Sequence, residues 1–284
     1  MSNLRKAETI YDKLDRINYK WLYLMFLIIL IIPSIFPITL PITVSQNAID
    51  FKNEIDNFPP GSTILWIEGF APTAYANIPG LVATMKYVFE KDLKVVFYCL
   101  KPDGPLLDDE KLKTIAPKYN KIYGEDYVLL GYLSGFESAI ITMNTDMRKA
   151  FTQDYYYTPI DEIPLMENIN SIEDIDLVVY SYQHAEWLGW VNRQIYAQYD
   201  VPIIVLSSEA MRAVGIIDYE AGMIKGITFG IPGGNELEVL FDIPGEASAI
   251  NNLKSLAVIL TLGFVLLGNI AYFGKKYSKR VVVK

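Results

Sequence analysis

The sequence predicts an α/β fold, namely a doubly wound, mainly parallel sheet of about five strands, Rossmann-like or flavodoxin-like, flanked by N- and C-terminal transmembrane helices. Short runs of β-branched and aromatic residues are nearly continuous in apolar side chains, which is typical of strands covered on both faces. Amphipathic stretches separate these runs, and such strand–helix alternation gives a parallel sheet with right-handed crossovers. Long hydrophobic spans at both ends of the chain bracket the pattern.

The first span covers residues 21–40, and the second covers 255–273 within a predicted transmembrane segment of 252–273. Each is long enough to cross a bilayer, because a helix rises about 1.5 Å per residue and the hydrocarbon core is about 30 Å thick. The tails, residues 1–20 and 274–284, are basic. Because Lys and Arg favour the cytoplasmic side, we expect both termini in the cytoplasm and the domain outside the cell membrane. A cleaved signal peptide and an inverted topology are the alternatives.

Residues 41–251 form an acidic domain, with 14 Lys and Arg against 30 Asp and Glu and hence a net charge of −16. Such a charge excludes nucleic acid as a partner, because nucleic-acid binding depends on neutralising phosphates with Lys and Arg. Cys99 is the single cysteine, which excludes an intramolecular disulfide and a cysteine-based zinc site. Its apolar surroundings indicate a buried side chain rather than a nucleophile.

The elements of the domain follow in order along the chain. The predicted strands are residues 63–67, 94–100, 127–133, 177–182 and 202–206. The predicted helices are residues 43–58, 77–90, 108–123, 136–151 and 186–199. A segment rich in Tyr, Pro and acidic residues, 152–174, predicts a functional or partly helical loop, because loops of that length are rarely slack.

Ligands of open parallel sheets bind beyond the carboxyl ends of the strands. The predicted strands place polar side chains at that edge: Glu68, Asp103, Ser134, Glu137, His184, Glu186 and Glu209. Carboxylate oxygens with one imidazole could hold a divalent cation, and Glu68, Asp103 and Glu209 are the candidate ligand-binding residues. The alternative is that these are ordinary polar loops of an acidic domain.

His184 is the only histidine, so any histidine-dependent mechanism would use it. A strand end suits a general base, and a hydrolase would pair His184 and Glu186 with a serine such as Ser134. The segment 131–135 resembles a nucleophile elbow, but its glycines are not two residues from the serine on either side. A structural, hydrogen-bonded histidine is the alternative interpretation.

The glycine-rich segment 226–234 is predicted to be a tight turn that returns the chain towards the membrane. Its backbone amides could receive an anion at the start of a helix near Asn235. It lacks the spacing and the Lys of a P-loop, and the first strand is not followed by a dinucleotide-binding G-x-G-x-x-G, so the sequence gives no nucleotide motif.

The last quarter of the chain resembles a group of uncharacterised prokaryotic membrane-anchored proteins, many of them archaeal. The residues that carry the resemblance are 219–226, Gly230, 233–238, 244–247 and 268–272. It implies the membrane-anchored architecture and supplies no catalytic residue.

The resulting functional hypothesis is a membrane-anchored extracytoplasmic α/β domain that acts as a binding or assembly module. The bilayer would be contacted through two helices, and a membrane-protein partner or a second copy of the chain would bind the domain. The 20 Tyr, 13 Phe and 4 Trp suit such an interface, although they suit a core equally well. The alternative is a membrane-bound hydrolase or divalent-metal-dependent enzyme with its site at the strand ends.

Overall fold

The computed structural model describes residues 10–35, 41–70 and 74–281. The chain divides into two compact units, one formed by residues 41–248 and one by residues 1–40 with 249–284. The larger unit contains the α/β domain, and the smaller contains the helices near the chain ends.

One parallel sheet forms the centre of the domain. Its strands are β1 (Thr63–Glu68), β2 (Lys94–Cys99), β3 (Tyr127–Tyr132), β4 (Leu177–Tyr182), β5 (Ile203–Ser207) and β6 (Gly226–Phe229). They lie in the order β3-β2-β1-β4-β5-β6. The central strand β1 pairs with β2 and β4, and its residues from Ile64 onward are buried because helices cover both faces. The predicted parallel α/β class is confirmed.

The sheet has six strands in the described residues rather than about five, and the prediction of a tight turn at 226–234 was wrong. Gly226 begins β6, which pairs with β5, and a helix follows directly at Gly230. The strand has only four residues, which is too short for a clear hydrophobic pattern. Its first residue is glycine because a Cβ there would collide with the backbone of Phe51.

The five predicted helices of the domain are present with shifted ends, and α9 was not predicted. The helices of the structure are α1 (Ile10–Asp15), α2 (Tyr19–Ile35), α3 (Gln46–Asp56), α4 (Ile78–Glu90), α5 (Gly104–Ile115), α6 (Glu137–Thr145), α7 (Met147–Ala150), α8 (Ala185–Val191), α9 (Arg212–Glu220), α10 (Gly230–Leu240) and α11 (Glu246–Val281). The predicted helix 136–151 is divided because Asp146 is extended and its side chain accepts the Lys149 N–H at 2.9 Å, capping α7. A wider helical turn, Asn192–Tyr196, continues α8.

Two buried hydrophobic clusters cover the two faces of the sheet. One contains Phe51 of α3, Leu81 of α4 and Leu237 of α10. The other contains Ile140 of α6 and Leu188 of α8. The doubly wound arrangement explains why the strands are apolar on both faces, as the sequence pattern predicted.

The segment 152–174 is ordered by packing rather than by long helices. Short 3₁₀ turns lie at Ile160–Glu162, Pro164–Met166 and Ile172–Asp174. Arg148 donates to the carbonyl oxygens of Met166 at 2.7 Å and Ile169 at 2.8 Å, which ties the segment to α7. It forms part of the core on one face of the sheet, consistent with the predicted partly helical loop.

Both ends of the domain contact α10. Near the beginning of the domain, the Ser45 hydroxyl donates to Glu236 at 2.7 Å. Near its end, the buried Glu238 carboxylate accepts the N–H groups of Ala247 at 2.9 Å and Ser248 at 2.7 Å. The two hydrogen bonds to Glu238 satisfy N–H groups that have no partner within α11, as an N-terminal cap does.

In α11, the helix stretch Glu246–Tyr277 is long and apolar enough to cross a membrane, with a mean hydropathy of 2.2 in its most apolar window. It is the only such helix in the described residues, where the sequence predicted two. The apolar stretch Tyr19–Ile31 of α2 is shorter, and residues 36–40 of the predicted first span lie outside the described residues. Asn269 donates to its own helix, at the Val265 carbonyl, at 2.9 Å.

Candidate functional site

The carboxyl ends of the parallel strands share one edge of the sheet, and the strand order reverses between β1 and β4. Ligands of open α/β sheets bind beside such a reversal. Every predicted site residue lies at this edge, at or shortly after the end of a strand: Glu68, Asp103, Ser134, His184, Glu186 and Glu209. Glu68 is buried and the other predicted residues are exposed, so they differ in what they can contact.

Glu68, the last residue of β1, is enclosed by protein atoms. Its carboxylate accepts hydrogen bonds from the Ser181 hydroxyl, from the Phe70 N–H at 2.5 Å and from the Trp66 indole at 3.2 Å. Ser181 in turn accepts the Gly69 N–H at 2.8 Å. Burial raises the pKa of Glu68 to about 7, although these hydrogen bonds favour the charged form.

A second buried carboxyl group belongs to Asp108 of α5. The Cys99 thiol donates to its Oδ2 at 3.2 Å, and its Oδ1 has no hydrogen-bond partner among the described residues. Burial and then the Glu68 carboxylate raise the pKa of Asp108, while burial and then Asp108 raise the pKa of Cys99. The interior of this edge therefore favours uncharged acids and an uncharged thiol.

The predicted histidine-dependent site is not assembled in the described part of the chain. His184 precedes α8 and is exposed, and its imidazole has no hydrogen bond or ion pair there. Its ring lies 5.2 Å from the Trp187 ring. Glu186 is exposed in the first turn of α8, and Ser134 is exposed in the loop after β3. A nucleophile and its base must lie within hydrogen-bond reach, and this pair does not.

The predicted cation ligands are separated or paired with arginine. Glu209 accepts two hydrogen bonds from Arg212, at 2.7 and 2.9 Å. Glu137 accepts two from Arg193, both at 2.9 Å. Asp103 is exposed before α5 and caps no N–H with its side chain. Within residues 10–35, 41–70 and 74–281, no three His, Cys, Asp or Glu side chains are grouped so as to hold a metal ion.

An aromatic cluster, which we define as Phe136, His184, Trp187 and Trp190, lies at the same edge and was not predicted. The Trp187 and Trp190 rings stack with centroids 5.7 Å apart, and Phe136 lies 6.0 and 5.5 Å from them. The spacing of three residues between the tryptophans places both on one face of a helix, and this was the available signal. The contribution of Phe136 from another loop could not be read from that spacing.

The aromatic cluster lies directly over the reversal of strand order. A Cβ at Gly69, the residue after β1, would approach the Trp187 ring to 3.2 Å, so the indole packs against bare backbone. The Lys101 ammonium, from the loop after β2, lies 5.0 Å from the centre of the Trp187 ring. This distance is typical of a cation–π contact.

Phe136 is held in an unfavourable backbone conformation. Its φ of 53° and ψ of −112° lie outside the regions that side-chain-bearing residues normally adopt. Such conformations cost of order 1–3 kcal/mol and are concentrated at functional sites. Nevertheless, the side chain is 52% exposed, so its burial does not compensate for the strain. The turn presents an aromatic face to solvent, next to two tryptophans.

The edge therefore has two layers with different chemistry. The buried carboxyl groups of Glu68 and Asp108 have no exposed surface for a substrate to contact. Trp187 is only 4% exposed and belongs to the core, whereas the exposed Phe136 and the partly buried Trp190 present apolar ring surface near the Lys101 ammonium. Such a surface suits binding rather than proton transfer.

Comparison of the chain with protein-family models, with curated proteins and with solved structures found no significant match.

Proposed function

We propose that this chain is a membrane-anchored binding and assembly module, whose extracytoplasmic α/β domain contacts a protein partner through the aromatic cluster. The single observation that carries the proposal is the exposed, strained Phe136 beside Trp187 and Trp190 at the strand-order reversal. Aromatic side chains dominate the energetics of protein interfaces, and backbone strain without compensating burial indicates a functional constraint.

Membrane anchoring is supported by α11. Only 6% of its most apolar window is buried, whereas the core helix of a soluble protein is mostly buried, and its position near the C-terminus is not that of a signal sequence. The two-pass topology adds the span 21–40 and places both termini in the cytoplasm, by the distribution of Lys and Arg. The two ends of the domain suit it, because Ser45 and Ala247 both contact α10. The resemblance to prokaryotic membrane-anchored proteins points the same way.

The alternative is a membrane-bound hydrolase or metal-dependent enzyme. The observation in its favour is the pKa of about 7 at Glu68, because perturbed carboxyl groups are common in active sites. Against it, Glu68 is enclosed, and His184 lacks a serine or carboxylate partner in the described residues. A binding module requires neither group to reach a substrate.

The test is photo-crosslinking in native membranes of the full chain with benzoylphenylalanine in place of Phe136. We expect one crosslinked product of defined mass, which is lost when Trp190→Ala is added. The matched control carries the crosslinker at Ile217, an exposed residue of α9 that is not part of the aromatic cluster. Equal products from both positions would contradict a specific contact surface.

A second measurement separates the enzyme alternative. We expect Mg²⁺, Mn²⁺ and Ca²⁺ to leave the thermal unfolding of the full chain unchanged. A ligand at about 100 times its Kd stabilises a fold by about 2.7 kcal/mol, which is a readily measured shift. A shift that disappears in Glu186→Ala or Glu209→Ala would favour a metal site at the strand ends.

A further inference from the structure

A hollow of about 460 Å³ lies at the carboxyl edge beside β3, the edge strand of the sheet. Its volume is within the range of small-molecule sites, about 300–1,000 Å³. Three tyrosines, Tyr132, Tyr155 and Tyr157, line it together with Phe151 and Pro102. We call it the tyrosine hollow, and none of the described residues that line it belongs to the aromatic cluster.

A β-bulge near the end of β3 exposes Tyr132. Leu129 pairs with Phe97 of β2, and the next paired residue of β3 is Gly131, opposite Tyr98. The residue between them is therefore extra, and such a bulge bends the strand and redirects the side chains that follow. Gly131 has a φ of +107°, and Tyr132 is 41% exposed, whereas the preceding residues of β3 are buried. The end of the strand thus turns a tyrosine towards the hollow.

The turn that carries Tyr155 and Tyr157 is held by hydrogen bonds. The Asp154 N–H donates to the Thr158 carbonyl at 2.9 Å, and Asp154 Oδ1 accepts the Thr158 N–H at 2.8 Å. The Tyr155 N–H donates to the carbonyl of Leu129 in β3 at 2.9 Å. The turn is therefore fixed against the edge strand, so its rings are positioned before a ligand binds.

Tyr157 is held in a left-handed backbone conformation. Its φ of 68° is uncommon for residues other than glycine, yet its side chain is 77% exposed. The core of the domain gains little burial from this ring. Strain at an exposed aromatic residue indicates a binding role, as it does for Phe136.

The lining of the tyrosine hollow favours a cation over an anion. Among the described residues it contains Asp154 and neither Lys nor Arg, in a domain with a net charge of −16. The faces of aromatic rings carry the negative part of a quadrupole, which attracts cations.

The hydrogen bonds of Asp154 favour a quaternary ammonium over a primary one. Asp154 is 3% exposed, and its oxygens already accept three hydrogen bonds, from the Tyr123 hydroxyl and from the N–H groups of Tyr156 and Thr158. It therefore has little capacity to accept from the three N–H groups of a primary ammonium, whereas a quaternary ammonium has no N–H to satisfy.

We propose that the tyrosine hollow binds a small compound with a quaternary ammonium group, which contacts the rings of Tyr132, Tyr155 and Tyr157. Cation–π contacts supply attraction without hydrogen bonds, and aromatic side chains are a common means of recognising such groups. Thr152 and Gln153, which also line the hollow, offer hydrogen bonds to the polar part of the compound. This site does not depend on the aromatic cluster or on the proposed protein partner.

Titration of the full chain in dodecyl maltoside with choline tests the proposal, with thermal unfolding as the readout. We expect a saturable rise in Tm, because choline binds the folded chain. Its neutral isostere, 3,3-dimethylbutan-1-ol, has carbon in place of the charged nitrogen. The isostere should bind at least about tenfold more weakly, because it makes no cation–π contact.

Tyr157→Gly removes one ring and should still form the turn, because glycine readily adopts a positive φ. We expect it to weaken choline binding about two- to thirtyfold, the range of one cation–π contact. Tyr157→Phe keeps the ring and should bind choline like the wild type. Tyr75→Gly is the matched control, since Tyr75 is 76% exposed and is not among the residues that line the hollow.

Sodium chloride at the same ionic strength controls for general effects of salt. The absence of a saturable shift with choline beyond that of sodium chloride would overturn the site. Equal affinities for choline and its neutral isostere would do so as well, because the hollow would then select shape and not charge. Equal affinities for choline in Tyr157→Gly and in the wild type would exclude the Tyr157 ring and with it the proposed site.

Discussion

At the scale of single residues, the strongest constraint on chemistry at the strand ends is burial. Glu68 and Glu209 both follow strands and both carry a carboxylate, yet only Glu68 is enclosed. Its proton is retained to higher pH because the charged form has lost its water. Glu209 lies at the surface and accepts hydrogen bonds from Arg212.

The pKa shift of Glu68 makes stability depend on pH with a definite sign. Burial raises the pKa from an ordinary value of 4.5 to about 7, so between these values the folded chain holds a proton that the unfolded chain has released. The stability that this group contributes is present below pH 4.5 and is lost as the pH rises to about 7. Relative to Glu68→Gln, we expect the wild type to lose on the order of 3 kcal/mol across this window.

Thermal unfolding of the full chain in detergent, followed by tryptophan fluorescence from about pH 4 to about pH 8, measures this difference. Glu209→Gln is the control and should follow the wild type, because Glu209 is exposed. If the plots of unfolding temperature against pH were parallel for the wild type and Glu68→Gln, Glu68 would be charged in the folded chain across this window.

Cys99 should be inert in the folded chain. It is buried, its thiol donates to Asp108, and both burial and that carboxyl raise its pKa, which removes the reactive thiolate. We expect a thiol reagent at neutral pH to modify the wild type only after a denaturant is added. Ser134→Cys, which introduces an exposed thiol after β3, should react at once under the same conditions. Rapid modification of the wild type without denaturant would show that this edge opens.

The sequence predicted which residues reach the carboxyl edge but not what each contacts there. Strand ends are readable because apolar runs stop at polar residues, and this located Glu68 and His184. The bond from Ser181 to Glu68 depends on the register between β1 and β4, which a single sequence does not reveal. The unfavourable φ of Phe136 is likewise invisible, because the residue type gives no indication of it.

At the scale of elements, the contact between α4 and α10 depends on glycine. A Cβ at Gly234 would lie 2.9 Å from the Gly80 nitrogen and 3.1 Å from the Ala247 Cβ, so the helices would have to separate. We expect Gly234→Ala to destabilise the chain by about 1–3 kcal/mol, the usual cost of overpacking.

Gly189→Ala in α8 provides the comparison for Gly234→Ala. Its Cβ would meet only the flexible end of Arg193, at 3.2 Å. Alanine is the better helix former by about 1 kcal/mol, so this variant should be neutral or more stable. Equal losses of Tm in Gly234→Ala and Gly189→Ala would show that the close contact between α4 and α10 does not cause the loss in Gly234→Ala.

The start of α11 depends on Glu238 in a similar way. Its carboxylate accepts the N–H groups of Ala247 and Ser248, which have no partner in their own helix. We expect Glu238→Ala to speed hydrogen exchange at both amides and to cost about 1–2 kcal/mol, as loss of a helix cap does. Glu246→Gln changes an exposed carboxylate of the same turn and should leave that exchange unchanged.

The ends of elements were harder to predict than their presence. The five predicted strands all exist, because a buried parallel strand has a strong apolar signal. The sixth, β6, has four residues beside glycines, so its pattern could not be told from a turn. The role of Glu238 could not be predicted because it depends on the path of the chain between α10 and α11.

At the scale of the whole molecule, the domain and the apolar ends of the chain were predicted from different signals. Periodicity gave the α/β class, and length with hydropathy gave the spans. The helix α11 has the length and the apolar composition that the sequence predicted for the second span. For the first span the described helix is shorter, and residues 36–40 lie outside the described residues.

The proposed two-pass topology rests on the distribution of Lys and Arg around the two spans. If both connections cross the bilayer, the termini lie on one side and the domain on the other. We expect a membrane-impermeant maleimide added to intact cells to label Ser134→Cys in the domain. Ser2→Cys and Ser278→Cys, in the basic tails, should be labelled only after the membrane is permeabilised. The native Cys99 gives little background because it is buried.

The pattern of labelling distinguishes the alternatives. Labelling of both tails but not of the domain in intact cells would establish the inverted topology, in which the aromatic cluster faces the cytoplasm. If the N-terminal segment that carries Ser2→Cys is missing from the mature protein, the first span is a cleaved signal. The domain is then anchored through α11 and not through the first span. The expected pattern and the inverted one both leave the domain attached at both ends, which restricts its rotation. The aromatic cluster would then be held in one orientation towards a partner in the same membrane.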